Sequence, residues 1–138
     1  MKKLLASSLL FLLPYALQAA DLAKNDSTRT EILKAIHADK DHELTPGTKF
    51  DVRRAWASKK FAYMCGLYMG KDGYYEMTDD QYDQAQIILI KKTNGWTPVL
   101  NMETFATSPR KVSCLPEQGT ELNDEYLKQE LKNRGISY

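Results

Sequence analysis

Four segments between residues 49 and 103 carry the alternation of half-buried β-strands, and they constrain this chain more than anything else in it. In KFDVRRAWA, Phe50, Val52, Arg54 and Trp56 alternate with polar or small residues, which predicts a strand with those four on one face. Ser58-Lys59-Lys60 reads as a hairpin loop. FAYMCGLYMG returns with Phe61, Tyr63, Cys65, Leu67 and Met69 on one face. Ala85 to Thr93, AQIILIKKT, is β-branched and continuous enough for a central strand. Asn94-Gly95 is the preferred pair for a two-residue hairpin in which both positions take positive φ. WTPVLNME is then the fourth strand, with Pro98 marking an incompletely paired edge. The result is an antiparallel meander with one long connection, GKDGYYEMTDDQYDQ, between its second and third strands.

Helical signals flank this block. Thr28 followed by Glu31 has capping-box spacing, and Ile32, Leu33, Ala35 and Ile36 give an apolar stripe that fades near His37 to Lys40. Leu44-Thr45-Pro46-Gly47 forces a turn. Near the C-terminus Asn123 is placed to cap a short helix, Leu122 to staple against Leu127, and Gly135 to end it. Leu127 and Leu131 alone make a thin stripe, which predicts a helix on the outside. The expected fold is α+β: a helix packed on one face of a four-stranded antiparallel meander, with a short outer C-terminal helix. The alternation in the first two strands predicts one buried and one wetter sheet face.

Upstream, MKKLLASSLLFLLPYALQAA has Lys2 and Lys3, an apolar run from Leu4 to Leu13, Pro14 and a small-residue end. This is the layout of a secretory signal peptide over residues 1–20, which makes 21–138 a single α+β domain in the periplasm. The apolar run falls short of the roughly twenty residues a spanning helix needs, and no Cys stands at the cleavage point, so no stable membrane anchor is expected.

Without Lys2 and Lys3, the 19 basic residues become 17 against 18 acidic ones. A near-neutral chain with interspersed signs gives no electrostatic reason to bind nucleic acid. Its partner is expected to be a protein or a small molecule, and homodimerisation is left open. Cys65 and Cys114, an even pair in an oxidising compartment, are expected to form a disulfide. A thiolate nucleophile would need a nearby base, and both histidines lie far upstream. His37 and His42 with Asp39 and Asp41 offer metal-ligand chemistry, but a spacing of five at a helix end makes the imidazoles diverge, so no metal is expected. Phosphate loops, nucleophile elbows and paired-His motifs do not occur in the sequence, so the chain is read as a non-enzyme with no cofactor.

The long connection is the candidate partner-binding element. Tyr74, Tyr75 and Tyr82 are rigid amphipathic contact residues, and Glu76, Asp79 and Asp80 supply charge that steers a basic partner. Loops of this length are often functional. The competing readings are an ordinary solvated loop and a calcium site, for which the spacing lacks the alternating Asp/Asn–Gly pattern of a calcium loop.

The stretches RTEILKAI, FDVRRAWASKKFAYMCGLY and ILIKKTNGW resemble those of small secreted bacterial proteins of cystatin-like or nuclear-transport-factor-like build. By size, compartment and two-cysteine build, the chain is also similar to the immunity proteins (antitoxins) of type VI secretion systems and to periplasmic lysozyme inhibitors. That resemblance implies a protein that neutralises a cell-wall-active, peptidoglycan-degrading enzyme. The alternative is a small-ligand binder or weak enzyme using the concave face of a cystatin-like sheet, which requires a deep apolar pocket.

Overall fold

The computed structural model describes residues 19–77, 80–117 and 119–138. In chain order the elements are β1 (Ala20–Asp21), α1 (Ser27–His37), β2 (Lys49–Ala57), β3 (Phe61–Gly70), β4 (Gly73–Tyr74), β5 (Tyr82–Lys92), β6 (Gly95–Ala106) and α2 (Asp124–Asn133). All strands join one antiparallel sheet in the order β1-β2-β3-β5-β6, with β4 added beside the end of β3. The expected four-stranded meander with a single covered face is therefore corrected to a six-stranded sheet with a helix on each face. Of the expected leader, residues 1–18 lie outside the described residues. Ala20 and Asp21 pair with Ala57 and Trp56.

β3 shows why one wetter face was the wrong expectation. Phe61 through Tyr68 are buried without interruption. Phe61, Tyr63 and Cys65 face α2, together with Trp56, Ile88, Ile90 and Met102. Ala62, Met64 and Tyr68 face α1, together with Ala57, Ala85, Ile87 and Leu89. α1 begins behind Asp26, whose carboxylate accepts the Thr28 N–H at 2.8 Å, so the cap is Asp26 and not Thr28. It seats Ile32 and Ile36 on the sheet. α2 is capped by Asn123, which accepts the Tyr126 N–H at 2.9 Å. Its Leu127 and Leu131 are fully buried against the opposite face, so this helix is a wall of the core and not an outer appendage.

Two irregularities decide which side chains reach which face. In β2 the register shifts between Val52 and Arg54, leaving Arg53 as the extra residue of a bulge. Phe50 and Val52 therefore pack on the α1 side while Arg54 and Trp56 turn to the α2 side, which splits the set of four expected on one face. The bulge brings the Asp51 carbonyl so close to Gly66 on β3 that a Cβ there would sit 2.6 Å from its oxygen. At the β5–β6 hairpin, Gly95 alone takes positive φ, +114°, while Asn94 does not. Residues 93–94 thus turn with a glycine behind them rather than as the doubly positive Asn-Gly pair expected.

The segment after β6 is fastened across the α2 face. Cys65 and Cys114 form the expected disulfide, with sequence separation 49. On either side of it, Gln84 Nε2 donates to the Ser113 carbonyl at 2.8 Å, and the Leu115 N–H donates to the Tyr63 hydroxyl at 2.9 Å. That hydroxyl in turn donates to Gln86 Oε1 at 2.6 Å. Arg54 bonds the Leu115 carbonyl at 2.8 Å and Asp21 Oδ1 at 2.7 Å, tying β1 to the same segment. Gln84, Gln86 and Tyr63 thus find their partners inside the fold.

Candidate functional site

On the two sides of the connection from β3 to β5, the described residues pair with each other and with the end of β3. Tyr74 closes β4 against Met69, and an isolated bridge pairs Glu76 with Tyr82. The Asp83 N–H donates to the Tyr75 carbonyl at 2.9 Å, and the Met77 N–H to the Gln81 carbonyl at 2.8 Å. Asp80 makes the turn with φ of +59°. Asp79, also expected in the site, lies outside the described residues, as does Thr78.

The three tyrosines hold this tip in place. Tyr74 donates to Asp51 Oδ2 at 2.7 Å, and that bond, with Arg53 adding to it, holds the Asp51 carboxyl below its usual range against the opposing effect of burial. Tyr75 lies over Gly70, where any side chain would strike its ring, and its hydroxyl shares a 2.9 Å hydrogen bond with Thr48 Oγ1. Tyr82 meets Tyr74 edge to face at 6.1 Å. The aromatic half of the expected site therefore serves positioning. Among the described residues of 74–82, the exposed side chains are Glu76, Met77, Asp80 and Gln81, with Met77 at 47% exposure.

Beside the tip, the α1 side of the sheet runs past the end of α1 into a polar groove of about 280 Å³. Its floor is Tyr68, Asp83, Asn101 and Glu103, and its far wall is the 42–48 loop, which brings His42, Glu43 and Thr48. The register explains the floor. Asp83 is opposite Phe105 and Ala85 is opposite Glu103, so the two carboxylates are diagonal neighbours on one face, roughly 7 Å apart in such ladders. Among the described residues neither is paired with a lysine or arginine. Burial, and then Glu103, pushes the Asp83 carboxyl above its ordinary value. Burial also raises the Tyr68 phenol, with Asp83 and Glu103 adding to the rise against the 3.1 Å hydrogen bond from Asn101 Nδ2. The oxygen of that amide, Asn101 Oδ1, is buried without a hydrogen-bond partner.

These residues were not read as a site from the sequence. The available signal was the alternation of Asn101, Glu103 and Phe105 along β6, which puts polar groups and an exposed ring on a face otherwise filled by apolar residues. The two histidines play supporting roles. His37 Nδ1 and Nε2 lie 2.8 and 3.0 Å from the Leu33 and Thr48 carbonyls, while His42 Nδ1 lies 3.1 Å from Asp39 Oδ2. Among the described residues no three His, Cys, Asp or Glu side chains gather as metal ligands.

The carboxylate pair gives a signed prediction. A carboxyl whose folded-state pKa is raised favours the fold when protonated and costs stability when ionised. Asp83→Asn is therefore expected to raise Tm at pH 7, by on the order of 2 °C given partial solvent screening. The gain should shrink as the pH falls through the carboxylate range and vanish near about pH 3, below both the folded and the unfolded value. Thermal melts of both proteins across that range check it.

No family model, curated protein or solved structure matches this chain. Its site must be interpreted from its own residues. Among the described residues no helix is long and apolar enough to cross a membrane.

Proposed function

We propose that this is an exported, disulfide-stapled binding protein of the immunity or inhibitor type, which engages and blocks a cell-wall-active hydrolase and performs no chemistry itself. The observation that carries the reading is the tip around Glu76, Met77 and Asp80. Its exposed side chains stand on a backbone fixed by the Tyr74–Asp51 and Tyr75–Thr48 hydrogen bonds and by the Glu76–Tyr82 bridge. Contact side chains carried on backbone already paired before binding lose little conformational freedom on meeting a partner, which is what an inhibitor requires. The platform beneath it suits the task, because β3 is packed on both faces and the chain after β6 is bridged to it. The bridged cysteines and the leader-like start fit action in the periplasm. For a small-ligand binder or enzyme the support is weaker. Among the described residues, the narrow space under Leu44 measures about 10 Å³, room for about one water, and the groove over Tyr68 is open to solvent.

The test uses the full chain, expressed with its own leader and purified from the periplasm. Cell-wall hydrolases encoded beside it are assayed by clearing of a peptidoglycan suspension. Clearing by one of them should fall in proportion to added protein and stop near equimolar, and Glu76→Arg with Asp80→Arg should weaken the inhibition at least about tenfold, as hot-spot losses do. Undiminished clearing at large excess of folded protein overturns the reading.

A further inference from the structure

We propose that the outer edge of β6, from Leu100 to Ala106, is a docking edge at which the partner protein adds one extended antiparallel strand, with a basic side chain opposite Glu103. The proposal rests on the binding-protein reading for the source of the strand, but the edge itself specifies the strand's chemistry.

The sheet has two edges, and the chain treats them differently. On the β2 side, β1 pairs with Ala57 and Trp56, and the Leu22 N–H donates to the Ala55 carbonyl at 2.7 Å. The rest of that edge carries Lys49, Asp51 and Arg53, and the bulge at Arg53 breaks its register. Covering strands, charges and bulges are the devices that keep an edge from accepting a foreign strand. β6 is the other edge, and its beginning is guarded in the same way. Leu89 is opposite Pro98 and Ile88 opposite Leu100, which leaves Val99 as the extra residue of a bulge. From Leu100 to Ala106 the guard is dropped. The register with β5 is unbroken there, and the stretch LNMETFA holds neither proline nor a basic residue. Among the described residues, no backbone hydrogen bond reaches this stretch from outside the β5 ladder. Its outward N–H and C=O groups are a template for one more strand.

Alternation assigns what the incoming strand meets. Glu103 and Phe105 project to the α1 side, where Asp83 stands directly across from Phe105. Both are exposed, Phe105 at 49%. An added strand therefore gains a charge pair from a lysine or arginine opposite Glu103. It gains apolar contact from an aliphatic residue two places earlier, opposite Phe105. Met102 and Thr104 project to the α2 side and ask only for neutral neighbours. Glu103 also disfavours a second copy of this chain as the occupant. It is the midpoint of the free stretch, so two-fold pairing of that stretch with itself sets Glu103 opposite its own copy. Like charges directly opposite are destabilising. Moving the register avoids the clash only by shortening the ladder or drawing the Val99 bulge into it.

The experiment titrates the peptide acetyl-Thr-Ile-Thr-Lys-Val-Thr-Val-amide into the ¹⁵N-labelled protein purified from the periplasm. Laid antiparallel, this peptide sets its lysine opposite Glu103 and its isoleucine opposite Phe105. Saturable shifts are expected in the backbone amides of residues 100–106, in the millimolar range. The same peptide with glutamate in place of lysine should bind at least about tenfold more weakly, because a charge pair becomes a like-charge pair. Two further peptides carry N-methyl groups on one or the other alternate set of backbone nitrogens. One should fail and the other bind like the parent, since only alternate N–H groups of an added strand face β6. Glu103→Lys should reverse the preference between the lysine and glutamate peptides, and Phe105→Ala should weaken the lysine peptide at least about threefold. Both residues are exposed, so neither variant should melt more than about 2 °C below the parent, which separates lost docking from lost folding. Absent shifts, equal binding of the glutamate peptide, equal binding of both methylated peptides, or a preference unaltered by Glu103→Lys overturns the docking edge. Protection of the same amides that grows with the protein's own concentration would place a second copy there and overturn the assignment to a partner. A chain that docks the peptide but inhibits no hydrolase overturns the partner reading alone. Inhibition undiminished by Glu103→Lys, with no peptide bound, overturns the edge alone.

Discussion

Replacing Cys65 and Cys114 together by alanine is expected to cost about 4 kcal/mol of stability, the largest effect of any change considered. The bridge spans a sequence separation of 49, and constraining a loop of that length removes about 4 kcal/mol of entropy from the unfolded chain. A domain of this size has only about 5–15 kcal/mol to lose, so the variant should melt far below the parent. It should still fold, because the Gln84–Ser113, Tyr63–Leu115 and Arg54–Leu115 hydrogen bonds hold the same segment without the bridge. Urea unfolding of parent and variant, both without reductant, measures the difference. A loss under about 1 kcal/mol would mean that those polar stitches alone fix the segment.

Leu127→Ala is expected to cost about 3 kcal/mol, within the range of leucine truncations in packed cores. Leu127 is fully buried beside Leu131, Leu122 and Phe61. A leucine on an outer surface helix would cost within about half a kcal/mol when trimmed. Urea midpoints therefore separate a helix that closes the core from one that merely rests on it. Leu131→Ala, equally buried one turn on, should behave alike.

Strand positions were legible from local pattern, because alternation in 49–57, 61–70 and 95–106 follows from the pleat itself. Face assignment failed wherever one backbone residue was added. The extra Arg53 flips every side chain before it relative to those after it, and no composition signal marks a bulge. The wetter face was misread for a related reason. Ala62 and Met64 do not announce a second core by composition, yet both are fully buried in the cluster that contains Ile32 and Ile36 of α1. The thin stripe of α2 misled in the opposite direction, since two leucines suffice once Leu122, Tyr126 and Ile136 complete their surroundings. Within the candidate site, the 74–82 connection was visible as a cluster of residue types, but the use of its tyrosines as anchors depends on Thr48 and Asp51, which are distant in sequence. The acidic groove was hidden because Asp83 and Glu103 meet only through the β5–β6 register.

The order of strands in the sheet bears on how the chain can be assembled. β2 reaches β3 through residues 58–60, and β5 reaches β6 through residues 93–94, so each pair can zip from its own turn with little chain to confine. Ser58 prepares the first of these turns by accepting the Lys60 and Phe61 N–H groups at 3.2 and 3.0 Å. Joining the two halves is costlier, because β3 must find β5 across residues 71–81, the same stretch that carries the proposed contact tip. The segment proposed to meet a partner is thus also the clasp between two locally encoded halves. Changes there that sharpen recognition will be filtered by whether the halves still meet.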